Sequence, residues 1–209
     1  MSKTATKIFR EPQEVTARLA ELQLDRDSLL AVIDVAMDAA GEKTPFHCAN
    51  AAGTFAYQYG THALRDRFVG EVWKVNRDGN IEAIKHATRP IKVAFANVDH
   101  ACREYPNGPK PLRKRGVGTE QVCSGNSLFG PDELPEYVAE AEDGCAMYFL
   151  MVDPNGAAEL TRPVVQNGTF SGYVERIYLT HGREEEMDIT FDDADATGEY
   201  DPVVARKKP

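Results

Sequence analysis

The sequence predicts an α+β fold in which N-terminal helices pack on a mainly antiparallel sheet that ends in a C-terminal three-stranded meander. Two observations carry this. Helical spacing of apolar residues is confined to residues 12–68. From residue 72 on, short apolar runs alternate with turn signals at Arg77-Asp78-Gly79, Asp153–Gly156 and Gln166–Thr169. Helices segregated from hairpin-linked strands are the mark of an α+β chain.

Pro12 suits the first turn of a helix running to about Leu24, with Val15, Leu19 and Leu22 on one face. Asp27 serves as N-cap for a helix over 28–40, where Leu29, Ile33, Ala36, Met37 and Ala40 recur at helical spacing and Gly41 closes the end. Thr44-Pro45 reads as the cap and first turn of a third helix. Its small residues Ala49, Gly53, Ala56 and Gly60 leave room for a close-packed neighbour, and Gly60-Thr61 divides it from a short helix ending at Gly70. Residues 1–11 read as a frayed end.

Strands over 72–76 and 80–85 flank the first turn, and a third follows Pro90. Residues 103–130 lose periodicity and carry Pro106, Pro109, Pro111 and five glycines, which predicts a long loop. A short helix over 132–142 follows. Residues 145–152 read as a central strand buried on both faces, and 157–165 and 170–180 as the other strands of the meander.

The 209 residues divide into one α+β domain, 1–183, and an acidic, flexible tail, 184–209. The tail holds nine acids against three bases, so of the net charge of −9 only −3 falls on the 24 acids and 21 bases of the domain. A nearly neutral body leaves room for a local basic patch. The longest apolar run, 146–152, is too short to cross a bilayer, and the N-terminus has no apolar leader core. The sequence therefore predicts a cytoplasmic protein without membrane attachment. Cys48, Cys102, Cys123 and Cys145 form no CxxC pair, which excludes a zinc ribbon or thioredoxin-like motif and predicts free thiols. No phosphate-binding P-loop, dinucleotide fingerprint, nucleophile elbow or zinc-protease motif occurs, so the sequence leaves any cofactor unknown and no metal site is expected.

Three clusters are candidates for chemistry. The first is the loop 103–119, where Arg103, Lys110, Arg113, Lys114 and Arg115 stand against Glu104. Arginine forks match phosphate oxygens, Gly116 and Gly118 allow backbone N–H groups to approach an anion, Thr119 adds a hydroxyl, and Tyr105 offers a ring for stacking. The bland alternative is a solvated loop balancing the acidic tail. The second cluster is a polar stripe on the third helix, His47, Asn50, Thr54, Tyr57 and Thr61, whose uncharged polar groups suit a half-buried pocket wall or a hydrogen-bonded part of the core. The third, Asp99, His100 and Cys102 after a strand, together with His47, has residue types that could serve acid–base work or metal binding, although adjacent residues of an extended chain point to opposite faces.

The charge pattern favours a phosphate-recognising binding protein that takes a nucleic acid or a nucleotide-like ligand on loop 103–119. The alternatives are a hydrolase or transferase using the His/Asp/Cys residues, and a non-enzymatic subunit of a larger assembly contacted through a sheet edge or the acidic tail.

Overall fold

The computed structural model describes residues 6–103, 108–124 and 145–182. The predicted helix over 132–142, the acidic tail and Tyr105 lie outside the described residues. The chain is α+β. Four helices, α1 (Pro12–Glu21), α2 (Arg26–Gly41), α3 (Ala51–Phe68) and α4 (Val117–Ser124), accompany one sheet. Its strands are β1 (Lys7–Phe9), β2 (Trp73–Asn76), β3 (Ala83–His86), β4 (Ile91–Asn97), β5 (Ala146–Val152), β6 (Ala157–Gln166) and β7 (Thr169–His181). Their spatial order is β1-β7-β6-β5-β4-β3-β2. The pairs β2–β3, β3–β4, β5–β6 and β6–β7 are antiparallel, and β1–β7 and β4–β5 are parallel. No helix among the described residues is long and apolar enough to cross a membrane.

Local chemistry explains most element ends. Pro12 occupies the first turn of α1, where its missing N–H costs nothing. The Asp25 carboxylate caps α2 by accepting from the Ser28 N–H at 2.7 Å. Asp27, the predicted cap, falls instead in the first turn, where its charge still favours the helix dipole. Helix α3 starts six residues later than Thr44-Pro45 suggested, because His47 turns back and its Nδ1 accepts from the Thr44 N–H at 2.9 Å. It then runs through Gly60-Thr61 without a break. A Cβ on Gly60 would lie 2.5 Å from the Phe95 ring, so this glycine lets α3 press onto β4 rather than dividing the helix.

Two further differences come from topology. Residues 7–9, read as frayed, pair with β7 in the register Lys7↔Glu175 to Phe9↔Ile177; three residues are too few to show a period. The long loop after β4 contains α4, and its length follows from the pairing of β4 with β5. Parallel neighbours cannot be joined by a tight turn, so the chain must cross a face of the sheet to begin β5.

Two apolar clusters result. Leu19, Leu29, Val32, Leu64 and Trp73 meet Phe95, Tyr148, Leu150 and Ile177 on the helix face. Ala94, Ala96, Met147, Phe149, Met151, Phe170 and Cys123 form the other cluster, on the crossover face. All seven residues of β5 are buried because its side chains alternate between the two.

Candidate functional site

The crossover is tied to the sheet through charges buried in β6 and β7. Glu159 and Arg176 are 0% and 2% exposed. The Glu159 carboxylate accepts from Arg176 Nε at 2.8 Å and Nη2 at 2.6 Å, from Thr161 Oγ1 at 2.5 Å and from the Cys102 N–H at 2.7 Å. The remaining fork of Arg176 donates to the Arg103 carbonyl at 2.8 Å. Its guanidinium lies over the rings of Tyr173 and Tyr178, with centroids at 5.3 and 5.0 Å. A buried pair with its lone pairs and protons satisfied escapes the penalty of an orphaned charge. Here two of those bonds fasten the crossover backbone.

The opposite face carries a second system. Glu175, 0% exposed, accepts from Arg18 Nε at 2.5 Å and from the Tyr148 hydroxyl at 2.6 Å, with Arg162 opposite it in register. Burial and the Glu175 charge push the Tyr148 phenol well above its usual range. This system joins α1 to the sheet.

Further anchors set the path of the loop. Asp99 Oδ1 accepts from the His100 and Lys110 N–H groups at 2.7 and 2.6 Å, and the Asp99 N–H donates to the Lys110 carbonyl. The Lys110 ammonium donates to the Phe170 carbonyl at 2.5 Å, and the Tyr173 hydroxyl to the Pro109 carbonyl at 2.5 Å. The Arg115 N–H donates to the Gly168 carbonyl at 2.8 Å. Gly168 has φ +74°, and a Cβ there would lie 2.9 Å from the Arg115 carbonyl, so the β6–β7 turn needs glycine on two grounds.

The five loop cations therefore divide. Arg103, Arg113 and Lys114 are exposed, Lys110 is engaged by Phe170, and Arg115 folds inward. The Arg115 guanidinium lies 5.2 Å from the Phe149 centroid and 5.7 Å from that of Phe170. Its Nε is buried and has no hydrogen-bond partner, and no carboxylate among the described residues pairs with it. Burial lowers its pKa from the usual arginine value, while Tyr57 of α3 and Cys123 of α4 act on it electrostatically in the opposite sense.

Gly118 and Thr119 take packing positions, and Gly116 is exposed in open space. Gly116 and Gly118 do not have positive φ. A Cβ on Gly118 would lie 2.3 Å from the Gly79 carbonyl oxygen, where α4 packs on the turn Asp78–Asn80, and Thr119 is buried. The Gly116 carbonyl accepts from the Thr119 and Glu120 N–H groups and starts α4.

The His/Asp/Cys residues are held in separate structural roles. Asp99 closes the loop as above, and His100 is exposed. The Cys102 thiol donates to the carbonyls of Ala158 at 3.2 Å and Thr180 at 3.3 Å. Burial and Glu159 push it up to about 12, which keeps it protonated and a poor nucleophile. His47 is exposed and stacks edge-on against Phe55. In the stripe, the Thr54 hydroxyl donates to the Asn50 carbonyl within α3, and Tyr57 packs partly on the helix-face cluster. Asn97 links stripe and crossover, donating to the Gly53 carbonyl at 2.6 Å and accepting from the Leu112 N–H at 3.3 Å. No group of three or more metal-ligating side chains occurs among the described residues.

Two surface grooves lie away from the basic loop. One, of about 690 Å³, runs between α1, the start of α2 and the end of β7. The other, of about 570 Å³, is lined by Val35, Asp38, Ala39, Glu42, His47, Phe55 and Tyr59.

Sequence reasoning missed Glu159, Arg162, Glu175 and Arg176, whose signal was a charged residue of each sign inside the strand runs ELTR and ERIY. Comparison with protein-family models, curated proteins and solved structures finds no match for this chain.

Proposed function

We propose that the protein recognises phosphate, on a nucleic acid or a nucleotide-like ligand, with the crossover segment 103–119. The observation that carries this reading is the contrast within Arg113–Arg115. Two cations are exposed without an ion pair among the described residues, and the third is drawn inward without a counter-charge. Ordinary surface cations need no anchoring. This loop is fastened to the sheet at Cys102, Arg103, Pro109, Lys110 and Arg115. Rigid placement of cations lowers the ordering cost of capturing an anion, and arginine presents a planar fork to phosphate oxygens. Tyr105 and the stripe residues Asn50, Thr54 and Tyr57 remain candidate contacts for the rest of the ligand.

The test is a binding screen of the full chain at low salt against single- and double-stranded oligonucleotides and a set of nucleotides. Binding that is abolished by changing Arg113, Lys114 and Arg115 together to Ala, with the fold intact, supports the reading. A screen without binding rejects it. A second reading, a subunit of a larger assembly, is favoured by a different feature. Phe46 is fully exposed, and Tyr59, more than half exposed, lines the groove between α2 and α3.

A further inference from the structure

A partly buried cation whose inner Nε has no hydrogen-bond partner is the least explained feature of the crossover face. Desolvating a guanidinium costs free energy that an aromatic stack only partly offsets. Buried polar atoms without a partner are few in folded proteins. Arg18 and Arg176, both buried, are matched by Glu175 and Glu159. Arg115 stands against two aromatic rings with its backbone fixed on the β6–β7 turn, and the residue keeps partial exposure beside Arg113 and Lys114.

The surroundings limit the reach of this positive charge. Helix α4, which follows at once, packs on the turn at Gly79, where Asp78 pairs with Lys92 at 3.3 Å and Glu82 with Arg77 at 3.2 Å. Glu120 accepts from the Asn167 N–H at the β6–β7 turn. The cations at the neighbouring Gly79 turn are therefore already paired and add nothing to the three of the loop. A nucleic-acid backbone is bound by cations repeated along a track. Three consecutive cations without further unpaired cations on the neighbouring turn match one doubly charged group instead.

We propose that Arg113, Lys114 and Arg115 hold a single compact phosphate, a phosphomonoester or the terminal phosphate of a nucleotide-like ligand, with the ring-backed Arg115 as its inner contact. This rests on the phosphate-recognition reading and narrows it. The rings of Phe149 and Phe170 keep water from one side of the guanidinium, which strengthens its attraction to an anion arriving from the other.

Calorimetric titration of the full chain tests it with inorganic phosphate, a nucleoside monophosphate, and one oligonucleotide with and without a 5′-phosphate. The first two probes and the 5′-phosphorylated strand are expected to bind, and the unphosphorylated strand is not. Arg115→Gln should weaken phosphate by about tenfold or more, as loss of a charge-assisted bond does, and Lys114→Gln by about threefold or less, as for an exposed pair. Arg115→Met, which removes the unpaired charge and keeps the volume, should leave the melting temperature unchanged or raise it. Tight, steeply salt-dependent binding of the unphosphorylated strand would overturn the compact-phosphate inference and leave the broader reading standing. A large drop in melting temperature for Arg115→Met with phosphate affinity intact would make Arg115 a structural residue. Silence from every probe rejects the broader reading itself.

Discussion

The two faces of the sheet are closed by different means. On the helix face, α1, α2 and α3 lay Leu19, Leu29, Val32 and Leu64 against Phe95, Tyr148 and Leu150, and closure is mainly apolar area removed from water. On the crossover face the apolar cluster is smaller, and the covering segment is held by hydrogen bonds to groups buried in or beside the sheet, at Glu159, Arg176, Asp153 and Phe170. Apolar contact is tolerant of direction, and hydrogen bonds are not. The difference teaches that apolar area closes the helix face, whereas directional bonds fix the position of the crossover backbone.

The largest expected effect breaks the directional closure. Glu159→Ala leaves Arg176 buried without its partner and strips the acceptor from Cys102 N–H, which should destabilise by about 3–5 kcal/mol in chemical denaturation. A loss within the range of a surface change would mean the pair does not close this face. On the apolar side, Leu150→Ala should cost about 3 kcal/mol, since Leu150 is fully buried in the helix-face cluster; Phe149→Ala should cost at least as much and also remove one ring from beneath Arg115. Gly168→Ala should cost about 1–2 kcal/mol, from its positive φ and the nearby Arg115 carbonyl, and should weaken phosphate binding by displacing Arg115.

The smallest effect is a pH dependence. His86 is held neutral, with Nδ1 accepting from the Thr88 and Arg89 N–H groups and Nε2 against Gln23, and burial lowers its pKa. The unfolded chain then binds the proton more readily, so the stability from this group is complete above the ordinary histidine value near 6.5 and declines as pH falls below it. Denaturation midpoints of wild type and His86→Gln should converge as pH drops from neutral towards 5. A constant separation would show that His86 does not titrate this way.

The helix face was legible in the sequence because apolar contact writes itself as periodicity. Val15 and Leu19, and Leu29, Ile33 and Ala36, have the spacing their helices use, and the unbroken apolar run at 146–152 marked a strand buried on both sides. The crossover face was not legible, since a charged residue in a strand normally marks a solvent face and nothing local shows that Glu159 will meet Arg176, 17 residues away. The parallel pairing of β4 and β5 was hidden for the same reason, as register between strands separated by about 50 residues leaves no local trace. Of the candidate site, the cations were legible as types. That Arg115 turns inward while Arg113 and Lys114 stay exposed depends on Gly168, Phe149 and Phe170, none of them near in sequence.

The most direct test of directional closure is amide hydrogen exchange on the double variant Glu159→Leu, Arg176→Met, which removes the buried pair without leaving an unpaired charge. The account predicts faster exchange at Ala101 and Cys102 and along 108–116, with the amides of α2 and α3 protected as in the wild type. A crossover that keeps its protection, or two faces that loosen together, would contradict it.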